Sequence, residues 1–192
     1  STGEALTSSI LILLDLGAFM VWNSNINYVS DVFCRTRHSR PSPKADPTYQ
    51  PFVSIHIPAH NEPPELLIQT IKAVEQIDYP NFEAVVMDNN TSDPAVWRPV
   101  EEYCRGRDKV RFVHVEDWPG YKAGACNLAL RRPTDPRAEI IGVIDADYLV
   151  DPSWLEETVG YFAAPDMAFV QTPQDYREYQ GNTYLTACYD AY

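Results

Sequence analysis

Two carboxylates two residues apart, Asp145 and Asp147, follow the apolar run from Ile140 to Ile144. If the run is a strand, side chains repeat every two residues, so this pair points the same way. Two convergent carboxylates at a strand end suit a hard divalent cation such as Mg2+ or Mn2+. A strand running into an acidic turn accounts for the same residues, because Asp is a common turn former. The pair is the only Asp-x-Asp in the chain, so its surroundings must decide.

Other polar groups fall at comparable places. His60, Asn61 and Glu62 follow one apolar run, and Asp88, Asn89, Asn90 and Thr91 follow another. Gly120-Tyr121-Lys122-Ala123-Gly124 opens a helical pattern, and Gln171, Thr172, Gln174 and Asp175 follow a last apolar run. Together they suit a nucleoside diphosphate. Asp88 can accept from a base N–H, and Glu62 can hold ribose or base edges. Lys122 sits at a glycine-flanked helix start, where N–H groups and the helix dipole favour anions. A metal on Asp145 and Asp147 would bridge the diphosphate. Each residue also has a plain structural reading: Glu62 as a helix cap, Asp88 as a turn former, Lys122 as an exposed cation.

The elements that must position these groups alternate. Strands are expected at Val53–Ile57, Phe82–Met87, Val110–Val115, Ile140–Ile144 and Met167–Gln171. Helices are expected at Pro64–Ile77, from Pro94 to about Cys104, at Gly120–Leu130, at Ser153–Phe162, and from Gly181 to the end. Leu66, Leu67, Ile71, Val74 and Ile77 share one helical face. Asp93-Pro94 is a helix-start signal. Such alternation implies an α/β fold with a Rossmann-like, mostly parallel sheet and helices on both faces. The strands are near-continuous apolar runs, as when both faces are covered. Ligands of such sheets sit beyond the carboxyl ends of the strands.

The 192 residues carry a net charge of −12. That argues against a nucleic-acid binder, which needs a basic face, and it means phosphate must be held by a cation or local lysine. Cys34, Cys104, Cys126 and Cys188 form no Cys-x-x-Cys pair and are expected as free thiols. His56 and His60 span a strand end and make a poor zinc pair. Residues 1–34 hold an apolar stretch from Ile10 to Trp22, extendable from Leu6 to Val29, close to the roughly 20 residues that cross a bilayer. Asp15 interrupts it, so a helix packed on protein is the competing reading. The linker 35–50 contains Arg35, Arg37, Arg40 and Lys44. Basic residues beside a span favour the cytoplasmic side, which would put the domain at 51–192 on the cytoplasmic face of the membrane.

Five segments carry a family resemblance. They are Val53-Ser-Ile-His-Ile-Pro-Ala-His-Asn-Glu62, Val86-Met-Asp88-Asn-Asn-Thr, Lys122-Ala-Gly-Ala-Cys-Asn127, Ile144-Asp-Ala-Asp147 and Val170-Gln-Thr-Pro173. In this order they resemble family 2 glycosyltransferases of the GT-A fold, above all processive membrane β-glucan synthases of the cellulose-synthase and β-1,3- or cyclic-glucan-synthase kind. The resemblance covers residues 50–180. It implies inverting, metal-dependent transfer of a sugar, commonly glucose from UDP-glucose, to a growing polysaccharide acceptor at the cytoplasmic membrane face. By motif match Glu62 and Asp88 would contact the uridine and Lys122 the nucleotide. Asp145 would lie near the diphosphate, and Asp147 would ligate Mg2+ or Mn2+.

The chain departs from that pattern. An inverting transferase needs a general base, which the family takes from a Thr-Glu-Asp-like motif, followed further on by an acceptor-site Gln-x-x-Arg-Trp. Neither is present; Gln174-Asp-Tyr-Arg177 is followed by Glu178. No catalytic residue is therefore assigned, and the chain is expected to be the donor-binding part, with its base beyond Tyr192. Asn89 stands where many relatives carry a second acidic residue. The alternatives are a non-processive family 2 transferase with another nucleotide sugar or a lipid acceptor, a non-catalytic nucleotide-binding domain, and a metal-dependent phosphatase. The last is disfavoured because Tyr148-Leu-Val follows the Asp pair where a Thr or Ser is needed.

Overall fold

A computed structural model describes residues 2–37 and 44–172. The chain divides into two compact units, residues 1–43 and 44–192. The first contains helix α1 (Thr2–Arg37). Along α1 the segment Ser8–Ser30 is long and apolar enough to cross a membrane by length and composition. Its 23 residues rise about 34 Å at 1.5 Å each, against a hydrocarbon core of about 30 Å. Its apolar residues, from Ile10 to Val29, are exposed on every side. Asn25 turns its amide back onto the Val21 carbonyl at 2.8 Å, which hides one polar group within the helix.

The second unit is built on four parallel strands. They are β1 (Phe52–Ala59), β2 (Phe82–Asn89), β3 (Val110–Val115) and β4 (Ala138–Val143), in the order β3-β2-β1-β4. Helices α2 (Pro64–Glu75), α3 (Pro94–Cys104), α4 (Tyr121–Arg131) and α5 (Trp154–Val159) follow the strands in turn. A short 3-10 turn, Gly160–Ala163, continues α5. The expected α/β architecture is therefore present, with helices on both faces.

Alternation within the strands sorts the core. Val53, Ile55 and Ile57 of β1 join Ala84 and Val86 of β2 under Leu67, Ile71 and Val74 of α2, Val100 and Cys104 of α3, and Leu155 and Val159 of α5. On the other face Val85 and Met87 meet Ala125, Leu128 and Ala129 of α4. Both central strands are buried from Val53 to Ala59 and from Phe82 to Asn89, Ser54, His56 and Glu83 among them, as expected of strands covered on both faces. Burial pushes the Cys104 thiol up to about 12, so it is an inert core residue; Cys104 and Cys126 are both free.

Two expectations fail here. β4 is an edge strand, with Ile141 38% and Val143 51% exposed, so only one of its faces is covered. Met167–Gln171 is not a strand: Phe169 is 74% exposed and the segment joins no ladder among the described residues. An apolar run signals a preference, but a strand exists only where a neighbour takes its N–H and C=O groups. The helix expected from Gly181, with Gln174 and Asp175, lies outside the described residues.

Candidate functional site

The carboxyl ends of β1, β2 and β4 and the start of α4 converge at one edge of the sheet. β4 ends at Val143, but its ladder is extended by Ile144 N–H donating to the His56 carbonyl at 3.0 Å. Asp145 and Asp147 lie beyond it, in a turn closed by Tyr148 N–H on the Asp145 carbonyl at 3.1 Å. Alternation survives into this turn: Ile144 and Ala146 are buried, Asp145 is half-buried and Asp147 is exposed. Thr70 of α2 anchors the turn, its hydroxyl donating to the Ala146 carbonyl at 2.7 Å.

Lys122, in the first turn of α4, donates from Nζ to Asp145 Oδ1. That ion pair joins the glycine-flanked helix start to the acidic turn. Gly120 caps α4 in the left-handed region with φ 91°, and no side chain accepts from the first-turn N–H groups. Helix starts without a side-chain cap are places where an anion is favoured. Loop 116–120 is fastened by Asn90 and Trp118. The Asn90 amide donates to the Trp118 carbonyl at 2.8 Å and accepts from Trp118 N–H at 2.9 Å, while Trp118 Nε1–H donates to the Gly124 carbonyl at 2.9 Å.

At the other end of the site Glu62 follows β1, half-buried. Asp88, expected as an acceptor for a base N–H, sits at the end of β2 in an enclosed position. It is 3% exposed, and both its oxygens are engaged at 2.6 Å, Oδ1 by the Thr91 hydroxyl and Oδ2 by His114 Nδ1–H. Its neighbour Asn89 donates to the Tyr121 carbonyl at 3.0 Å and leaves Oδ1 buried without a partner. The exposed ring of His60 donates from Nδ1 to the Asn89 carbonyl at 2.6 Å.

His114 and Trp118 were invisible to motif reading. His114 is opposite Asp88 in the β2–β3 register, and only that register makes it a neighbour. Gln171 and Thr172 are exposed and make no described contact with this edge. His56 is 1% exposed and turned into the α4 face, its Nε2 at 2.9 Å from Thr134 Oγ1, so it forms no metal pair with His60.

Asp145 and Asp147 offer oxygen donors only. Among the described residues no group of three His, Cys, Asp or Glu is placed to hold a metal. A two-carboxylate donor set fits a cation that completes its shell with water and phosphate oxygens, as Mg2+ and Mn2+ do.

Comparison with known proteins bears on this edge. A family model described as Glycosyl transferase family 2 matches residues 54–187. Glucomannan 4-beta-mannosyltransferase 7 of Arabidopsis thaliana is 32% identical over 128 residues, 63% of this chain and 23% of that protein. The UDP-forming cellulose synthase catalytic subunit of Pseudomonas fluorescens is 32% identical over 133 residues, 68% of this chain and 17% of that protein. The chain thus spans less than a quarter of either relative. A mannosyltransferase from Pyrobaculum calidifontis, solved with GDP-Man and Mn2+, superposes with a TM-score of 0.64 at 28% identity, covering 82% of this chain and 47% of that one.

Proposed function

The chain belongs to glycosyl transferase family 2, and from that premise we propose that it holds the donor end of a metal-dependent, inverting hexosyltransferase that extends a β-glucan from UDP-glucose. The observation that carries this reading is the Lys122–Asp145 pair, which brings the uncapped start of α4 to the acidic turn after β4. A nucleoside diphosphate needs both halves: N–H donors and a lysine for phosphate, and carboxylates for the cation that accompanies it. The net charge of −12 makes that cation necessary.

Asp145 and Asp147 would hold Mg2+ or Mn2+, which when bound offsets the charge of the diphosphate leaving group. Lys122 and the first N–H groups of α4 bind the phosphates. Glu62 faces the nucleoside end, with Asp88 behind it. The base that takes the acceptor hydroxyl proton is not assigned to any described residue. GDP-mannose is the second reading for the donor, favoured by the solved relative with GDP-Man and by the mannosyltransferase among the sequence relatives.

α1 is read as a membrane span, with the following domain on the cytoplasmic side and a polysaccharide as acceptor. Its exposed apolar surface and the basic residues Arg35, Arg37, Arg40 and Lys44 support this. Membranes stripped with alkaline carbonate should retain the chain; release into the supernatant would remove α1 from the membrane.

The donor site is tested by calorimetric titration of UDP-glucose and GDP-mannose with Mn2+ and with EDTA. Asp147→Asn should weaken nucleotide binding at least about tenfold in Mn2+, the scale of one lost charge-assisted contact, and change nothing in EDTA. Equal loss in EDTA, or a folded chain that binds no nucleotide, refutes the assignment.

A further inference from the structure

We infer that His114, Asp88 and Thr91 form a positioning relay that sets the loop His60-Asn61-Glu62 for the nucleoside, with Asp88 as its hub. The inference rests on the donor-site reading above and names the residues that shape its nucleoside end.

Chemistry fixes the direction of every bond in the relay. A carboxylate only accepts, so His114 must present Nδ1–H to Asp88 Oδ2 at 2.6 Å. Thr91 has one hydroxyl proton, and it goes to Asp88 Oδ1 at 2.6 Å. The lone pairs left on Thr91 Oγ1 then take the backbone N–H of Asn61 at 2.8 Å. Asn61 sits in the left-handed region with φ 55°. Few residue types adopt that conformation without support, and Asn is among those that do. The next residue is Glu62. A second tie, His60 Nδ1–H to the Asn89 carbonyl, holds the same loop on the end of β2.

The far end of the relay is also built. The ring of Trp97 in α3 stacks on His114, centroids 4.2 Å apart and planes 12° apart. The His114 side chain is 15% exposed, and its Nε2 has no hydrogen-bond partner, with Glu116 Oε1 at 3.6 Å. Asp88 and Thr91 are 3% and 1% exposed. A buried carboxylate held at both oxygens keeps one orientation and fixes the two groups that donate to it. Satisfied networks of this kind hold one geometry, and here that geometry belongs to the loop carrying Glu62.

The test separates the nucleoside end from the diphosphate end. The full chain in detergent is titrated with UDP, with GDP and with inorganic pyrophosphate, all in Mn2+, and each variant is checked for folding by its thermal transition. Thr91→Val removes the hydroxyl at constant shape, and His114→Phe keeps the stack on Trp97 while removing Nδ1–H. Each should weaken binding of the nucleotide about tenfold, the scale of one lost hydrogen bond, with pyrophosphate binding within about twofold of wild type. Thr91→Ser restores the hydroxyl, and His114→Asn places an amide donor near the former Nδ1; both should recover nucleotide binding to within about threefold. Asn61 amide exchange should speed up in Thr91→Val and return in Thr91→Ser. A folded variant that binds nucleotide like wild type overturns the relay alone, as does equal loss of nucleotide and pyrophosphate. A wild-type chain that binds neither overturns the donor-site reading and the relay with it.

Discussion

Gly124→Ala should destabilise this protein, although in a helix interior the same change usually gains about 1 kcal/mol. Gly124 is buried in α4 beneath the turn that precedes it. A Cβ there would overlap the Pro119 carbonyl oxygen, approach the Pro119 carbonyl carbon to 2.9 Å and reach Trp118 Cδ1 at 3.4 Å. The obstacle is backbone, so no change of rotamer relieves it. Pro119 must retreat, and Trp118 is bonded at three points, twice to Asn90 and once to the Gly124 carbonyl. Three hydrogen bonds at about 1 kcal/mol net each outweigh the about 1 kcal/mol of helix propensity, leaving a loss of about 2 kcal/mol. In a domain of this size each kcal/mol lowers Tm by about 2–4 °C, so the expected fall is about 4–8 °C. Thermal unfolding followed by far-UV circular dichroism reads it directly. An alanine variant as stable as wild type would refute the reasoning, because the helix gain would then meet no opposing contact. Nucleotide affinity should drop in the same variant, since the turn it displaces carries Gly120 and leads into Lys122.

Two further outcomes follow from the buried polar groups at the amino end of the sheet. Thr134 spends its hydroxyl proton on the Ala129 carbonyl at 2.7 Å, so it accepts from His56 Nε2–H and leaves Nδ1 buried as an unpaired acceptor. Burial holds His56 below its ordinary 6.5. Above that pH neither state binds the proton; below it the unfolded chain takes one that the folded chain refuses, so stability should fall as pH falls through this region. Urea midpoints at pH 7.5 and 5.5 (~2 units apart across that window) should therefore separate more in wild type than in His56→Gln, and equal separation would exonerate His56. Glu83, 4% exposed, accepts from Ser54 Oγ–H at 2.9 Å and Asp135 N–H at 2.6 Å, with Arg111 Nε at 3.3 Å. Glu83→Ala removes two charge-assisted bonds, one from a buried donor and one from a half-buried donor, and should cost about 3 kcal/mol in chemical denaturation; a loss under about 1 kcal/mol would show that water replaces the carboxylate.

Much of the site was legible in residue order because local chemistry decides it. Near-continuous apolar runs mark β1 to β4, Asp93 caps α3 through the Ala95 N–H at 2.8 Å, and polar groups must follow buried strands because backbone leaving a core needs partners. Glu62, Lys122, Asp145 and Asp147 come out at one sheet edge for that reason. What residue order did not reveal depends on neighbours. Met167–Gln171 has the composition of a strand but no ladder to join among the described residues, and nothing in residue order makes His114 a neighbour of Asp88 until β3 brings it there.

The amino-acid sequence alone determined the α/β class, the helix starts and the acidic pair after β4, since propensity, periodicity and capping act over a few residues. Only the tertiary structure decided which polar groups spend their hydrogen bonds on each other and which stay open to a ligand. Asp88 is tied to Thr91 and His114, whereas the first-turn donors of α4 have no side-chain cap. Hydrogen-bonding capacity is a property of each residue, but its use is set by strand register and by the close approach of α4 to the turn before it.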